Sequence, residues 1–149
     1  MARVTIRDQG WAKIARELRA LERKRGQAGV WSGASYPDGM DVAAVAGIQE
    51  FGSASIPPRP FLRTAAENAD PTLLAYTRGQ LLALYASRLS ARGMIANVAA
   101  HHAEQQRQAI QTASSWAVAL APSTIQAKGH SRPLYDSGLL LKSITYRVL

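Results

Sequence analysis

The sequence predicts an α+β protein: long central helices packed with a small, mostly antiparallel β-sheet, with extended loops and arms attached. Three observations carry that expectation. Apolar side chains recur at helical spacing over residues 9–25 and through most of 61–115, short alternating apolar segments lie near both ends, and proline- and glycine-rich stretches separate them. With 149 residues, the chain is expected to form a single domain, 1–149, around one core.

Taken in order, Val4, Thr5 and Ile6 alternate as a short opening strand. Asp8 caps a basic amphipathic helix over 9–25, where Trp11, Ile14, Leu18 and Leu21 share one buried stripe and Gly26 provides the stop. Val30 and Trp31 read as a brief strand, and Ser32 to Gly39 as a loop of turn formers. Asp41 caps a helix from Val42 to Phe51 that ends at Gly52. The proline-rich arm 53–60 excludes helix and central strand, and it places Pro60 near the first position of the next helix.

A long helical region then spans 61–115, with a break or kink expected at Asp70-Pro71 and a second weak point at Gly93. Leu74, Leu81, Leu84, Tyr85 and Leu89 trace one apolar stripe in it. The C-terminal part, 121–149, is a loop with one helical turn over 123–128, a short helix started by Asp136 or Ser137, and a strand in which Ile144, Tyr146 and Val148 alternate.

The chain has 18 Lys+Arg against 10 Asp+Glu, a formal net charge of +8. The excess is concentrated: residues 1–25 carry eight basic and three acidic side chains, whereas the other 124 residues carry ten and seven. A basic balance suits a polyanionic partner, or simply a solvated helix face. Arg16, Arg19 and Arg23 fall close to one helical face and are candidate contacts for DNA or another anionic partner, non-specific in kind, although Glu17 and Glu22 interrupt the stripe. The absence of cysteine removes disulfides, thiolate catalysis and Cys-ligated zinc. No apolar run reaches the length of a membrane span, and MARVTIRD lacks the apolar stretch of a secretory signal, so an intracellular protein with no membrane partner is expected.

Catalytic chemistry finds little support. His101 and His102 are adjacent, so they point about 100° apart on a helix and do not converge on one metal. His102 continues an apolar stripe, and His101 with Glu104 makes a surface pair. His130, Asp136 and Ser137 are the residue types of a hydrolase triad, but no G-x-S-x-G elbow accompanies them. Phosphate-binding glycine loops are missing, and the few acidic residues form no paired site. No enzyme activity, catalytic residue, metal or cofactor is expected.

Two segments carry more information. IQEFGSASIPPRPFLRTA, residues 48–65, runs from a helix end at Glu50-Phe51-Gly52 through Pro58-Arg59-Pro60-Phe61 into a new helix. APSTIQAKGHSRPLYDSGLLLKSITYRV, residues 121–148, contains Pro133-Leu134-Tyr135-Asp136-Ser137-Gly138 and then Ser143-Ile144. Together they resemble the tail-completion and neck proteins of tailed phages grouped as the phage virion morphogenesis family. There an E-F-G turn leads through I-P-x-R-P-F into a long helix, and P-S-T-I-x-x-K-G precedes P-L-[apolar]-D-[T/S]-G-x-L-x-x-S-I and a closing strand. Tyr135 fills the apolar slot here, and Ser137 stands where Thr is commoner. The matched segments cover 46 of the 149 residues.

The resemblance implies a structural virion protein at the neck or upper tail, assembled in the host bacterial cytoplasm. It would form a homo-oligomeric ring, six-fold or twelve-fold, that joins the tail to the head connector and touches neighbouring connector, neck and tail proteins. DNA would pass non-specifically through its channel. Alternatives are a tail terminator or minor tail protein, or a DNA-binding accessory protein that uses the helix 9–25. On this view Glu50, Phe51, Gly52, Pro58, Arg59, Pro60, Phe61, Pro133, Leu134, Asp136, Ser137, Gly138 and Ser143 are candidate fold or subunit-interface residues. Glu50 is expected to pair with Arg59 or Arg63, Phe51 and Phe61 to be core, and Gly52 and Gly138 to form turns. Part of the apolar surface of 9–25 and 74–89 is expected to be buried between subunits, with loop 32–40 and arm 53–60 reaching neighbours.

Overall fold

Capping residues and turn formers divide the chain into α1 (Trp11–Leu21), β1 (Gly26–Val30), α2 (Val42–Phe51), α3 (Phe61–Tyr85), α4 (Ala91–Gln111), α5 (Ala113–Trp116), α6 (Pro122–Lys128), α7 (Leu139–Ser143) and β2 (Ile144–Val148). The computed structural model describes residues 10–149, with Asp70 described by its backbone only. The expected strand at 4–6 and the Asp8 cap lie outside the described residues. The α+β class holds: the helices dominate, and β1 and β2 pair antiparallel from Gly26 opposite Val148 to Val30 opposite Ile144.

The frame is an antiparallel hairpin of α3 and α4. Its register is set by polar and aromatic pairs across the seam: Asn97 Nδ2 donates to Gln80 Oε1 (2.7 Å), His101 stacks on Tyr76 (centroids 4.2 Å apart), and Gln105 Nε2 donates to Thr72 Oγ1 (2.8 Å). The expected His101–Glu104 pair does not form, because the imidazole is held on Tyr76 and Glu104 bonds Arg107 (3.0 Å) instead. Nor does the chain break at Pro71. α3 passes through it unbroken, since a helix 25 residues long packed on α4 tolerates the single backbone hydrogen bond that an exposed proline removes. The real interruption comes at 86–90, where Ser87 adopts φ 56°; Gly93 sits in the first turn of α4 rather than at a break.

That first turn is capped twice. Ser90 Oγ accepts from Gly93 N (3.1 Å), and Glu17 Oε2, reaching across from α1, accepts from Ala91 N (2.8 Å). Leu18 and Leu21 of α1 pack beside it on Leu84, Ala91 and Met94, a small second cluster. Only the second half of α1 makes this contact, so Trp11, expected in the core, is 67 % exposed. α1 also ends at Leu21 instead of 25. Arg25 is drawn into the strand ladder, exchanging backbone hydrogen bonds with Leu149 (3.1 and 2.9 Å), and Gly26 is the first residue of β1 rather than a helix stop. Gly26 also packs closely on α4 there: a Cβ would sit 3.0 Å from the Ala99 side chain, which would have to give by a few tenths of an ångström.

The main core lies at the other end of the hairpin. Val42 and Ala46 of α2, Phe61 and Ala65 of α3, Ala103, Ala109 and Ile110 of α4, and Leu134, Leu140 and Ile144 form it. In β2 only Ile144 is fully buried; Tyr146, expected to share its face, is 43 % exposed, because the two-stranded sheet is too narrow to cover it. α6 starts one residue earlier than expected, with Pro122 in its first turn, and α7 starts after Gly138, with Ser137 Oγ accepting from Leu139 N (3.3 Å).

α2 matches its expected bounds, and the Asp41 carboxylate shows why. It accepts from Ala43 N (2.7 Å) and from Ser32 Oγ (2.5 Å), and these bonds, the Ser32 hydroxyl first, hold its pKa below the usual carboxylate value. A depressed folded-state pKa contributes stability above the unfolded value of about 3.9 that is lost as the pH falls through the folded value. The thermal midpoint is therefore expected to fall more gently below about pH 4 in Asp41→Asn than in the parent protein. Parallel acid titrations followed by circular dichroism check this, and superimposable curves would refute it.

Candidate functional site

The site is built around the end of α2. Glu50, 4 % exposed, points back under the arm, and its carboxylate accepts from the backbone N–H groups of Leu62 (2.8 Å) and Arg63 (3.1 Å). It therefore caps the first turn of α3 from a distance, where Pro60 occupies the cap position and has no side-chain acceptor. The expected ion pair of Glu50 with Arg59 or Arg63 is not formed, because these backbone donors take its oxygens.

Gly52 makes the reversal possible. Its backbone (φ 78°, ψ −178°) lies in a region open to glycine alone, and a Cβ would approach Ile56 O to 2.9 Å. Gly52→Ala is expected to cost about 2–3 kcal/mol of stability, read from urea unfolding. A loss below about 0.5 kcal/mol would mean that the turn relaxes freely.

The arm does not stand away from its own chain. Ser53 N donates to Ile56 O (2.9 Å), and Arg59 N donates to Gln49 O (2.6 Å), so it folds back along α2. Arg59 is 5 % exposed, and its guanidinium crosses to the C-terminal part of the chain: Nε donates to Val118 O (2.8 Å) and Nη2 to Ala119 O (3.1 Å). Burial lowers its pKa from the usual guanidinium value. Phe61, next to this knot, is fully buried.

Between these parts lies a groove of about 540 Å³, with Val45, Gln49, Ile56 and Arg59 on one wall and Ala119, Leu120, Lys128, Leu134, Tyr135 and Asp136 on the other. Lys128 Nζ donates to Tyr135 O; burial is the largest cause of its lowered pKa, with the nearby Arg59 charge adding to it and Asp136 opposing it. Arg132 lies over the Tyr135 ring (4.2 Å). Pro133 and Gly138 are buried, Leu134 is buried at φ 56°, and Ser143 is half-buried. Asp136 and Ser137 are exposed, Asp136 on the groove wall. Tyr135 itself rests on Gly138, its ring 3.4 Å from where a Cβ would be.

Six of the thirteen candidate fold or interface residues thus meet at one place: Glu50, Gly52 and Arg59 form the knot with Phe61 beside it, and Leu134 and Asp136 face it across the groove. Phe51 does not join them. It lies about 140–180° round α2 from Val42 and Ala46, which face the core, and it is 75 % exposed, contrary to the expected core position. Arg16 and Arg19 are exposed on α1, and Arg23 in the turn that follows it; α1 packs at the opposite end of α4. Tyr36 and Gln49 line the groove without having been anticipated. Val118 and Ala119 contribute backbone carbonyls, which no side-chain pattern reveals. Among the described residues no three His, Asp or Glu side chains cluster as metal ligands, and no helix is long and apolar enough to cross a membrane.

A scan against protein-family models finds no match, and searches of the curated proteins and of the solved structures find none either.

Proposed function

We propose that the chain is a non-enzymatic structural virion protein of a tailed phage, a tail-completion or neck component that forms a ring joining the tail to the head connector. One observation carries this reading. The two segments that resemble the phage virion morphogenesis family, 48–65 and 121–148, stand at opposite ends of the helical middle, yet both line one groove, the first with Gln49, Ile56 and Arg59 and the second with Lys128, Leu134, Tyr135 and Asp136. Two distant segments that share one groove are the arrangement expected of a single motif split along the chain.

Exposed apolar side chains add support. Phe51, Leu74, Leu82 and Val118 are each more than half exposed, and they offer area that contacts between subunits would remove from water. A head-to-tail contact repeated with closed rotational symmetry gives a ring.

Deletion of the gene in its parent phage, followed by electron microscopy of the lysate, tests the reading. Full heads lying beside unjoined tails are the expected outcome. Normal virions in normal number would overturn it.

A further inference from the structure

We propose that the outer face of α1 binds the phosphate backbone of duplex DNA through Arg16, Arg19 and Arg23. At 3.6 residues per turn these three side chains fall within about 60° of one another, opposite the face that carries Ile14, Leu18 and Leu21. Arg23 belongs to the same path: Glu22 is still right-handed helical (φ −58°, ψ −26°), and Arg23 N donates to Ala20 O (3.3 Å).

In the sequence two glutamates interrupt this stripe, and the structure removes one of them. Glu17 is turned onto the first turn of α4, where Oε2 accepts from Ala91 N (2.8 Å). Glu22 lies about 60–120° round from the arginines, at the edge of their face. Arg16, Arg19 and Arg23 are exposed, and the ion pair found among the described residues joins Arg107 to Glu104 at the other side of the hairpin. Lys13 is exposed on the same helix. Arg92, next in the chain to the Ala91 that binds Glu17, is exposed as well.

The chemistry of the face selects the partner. Three guanidinium groups spread over about 10 Å of helix match a linear array of phosphates, of which a duplex presents about one per 1.7 Å of axis. Arginine suits phosphate oxygens because its planar fork donates two parallel hydrogen bonds. A lipid surface fits less well. Helices that lie on membranes sink a whole apolar face into the headgroup boundary, whereas Leu18 and Leu21 of α1 are covered by Leu84, Ala91 and Met94, which leaves Trp11 as the exposed large apolar side chain of that stripe. Among the described residues no base-reading element is placed beside the arginines, and binding independent of sequence is expected.

The inference stands apart from the neck reading, because purified protein and naked DNA suffice to test it. A mixed-sequence duplex of about 30 base pairs, labelled for fluorescence anisotropy, is titrated with the full chain between 50 and 200 mM KCl. Binding is expected with log K falling against log salt at a slope of about −2.7, that is about −0.9 for each of three phosphates neutralised. The triple variant Arg16→Glu, Arg19→Glu, Arg23→Glu is expected to weaken binding at 50 mM by at least about tenfold and to flatten the slope. A control reversal at Arg78 and Lys142, both exposed elsewhere, is expected to change neither; circular dichroism shows that each variant is folded. Absence of binding at 50 mM, equal binding by parent and triple variant, tighter binding to phosphatidylserine vesicles than to DNA, or equal binding to polyglutamate would each overturn the assignment. Loss of virion assembly in the deletion strain has no bearing on these outcomes, so the two proposals fail separately.

Discussion

Replacing Phe61 by alanine is expected to lower the free energy of unfolding by about 4 kcal/mol, the largest effect of any single substitution proposed for this chain. The side chain is fully buried and belongs to the cluster in which α2, α3, α4, α7 and β2 meet, with Val42, Ile110, Leu134, Leu140 and Ile144. Truncation removes most of a phenyl group and leaves a hole that five different elements would have to shift to fill. The usual range for such a change is about 3–5 kcal/mol, and a site braced from so many directions collapses poorly. Phe61→Leu keeps most of the volume and is expected to cost about 1.5 kcal/mol or less. Urea unfolding with an unchanged m-value checks both. A loss under about 1 kcal/mol for alanine would show that the core relaxes around the gap.

The second large effect is expected at Glu50. Glu50→Ala should cost about 3 kcal/mol, because it strips the Leu62 and Arg63 N–H groups of a charged acceptor in a part-buried position and leaves a void beneath the arm. Glu50→Gln retains one oxygen and the volume, so about half of that loss is expected. The two variants separate hydrogen bonding from packing. Equal losses would mean that the carboxylate charge, not the cavity, carries the effect, while a neutral alanine variant would remove the cap from the account of α3.

The contrast between these two residues marks how far the sequence could be read. Phe61 was legible, because an apolar residue straight after a proline-rich arm opens a helix onto the core. α2 was legible from Asp41 to Gly52, since cap and stop are local signals. The role of Glu50 was not. It looked like one half of an ion pair, and only the reversal at Gly52 brings it under the start of α3. Trp11 was misplaced for a related reason: helical spacing tells which side chains share a face, but not whether a neighbour extends far enough to cover them. Phe51 was misplaced against its spacing, which already sets it on the face of α2 away from Val42 and Ala46. Pro71 was overweighted, since the α3–α4 packing outweighs one missing hydrogen bond. Gly26 was read as the end of a helix because the strand that claims it lies at the far end of the chain. Of the groove, Arg59, Leu134 and Asp136 were anticipated as site residues, and Tyr36, Gln49 and the Val118 and Ala119 carbonyls were not.

That distant strand has a bearing on how the protein is made. Gln27 and Arg147, partners in the ladder, are separated by 120 residues, and Arg147 Nε donates to Gln27 Oε1 (2.8 Å). At about 5–20 residues per second of ribosomal synthesis, β1 waits roughly 6–24 s for its partner to emerge. The buried Ile144 arrives in the same late stretch, so the main core also closes only after that interval. During that interval the hairpin of α3 and α4 is already complete, while the groove still lacks the wall formed by Leu134, Tyr135 and Asp136. A nascent chain therefore cannot present its finished groove to another copy before β2 has been made, and the order of synthesis itself delays association through the groove until then.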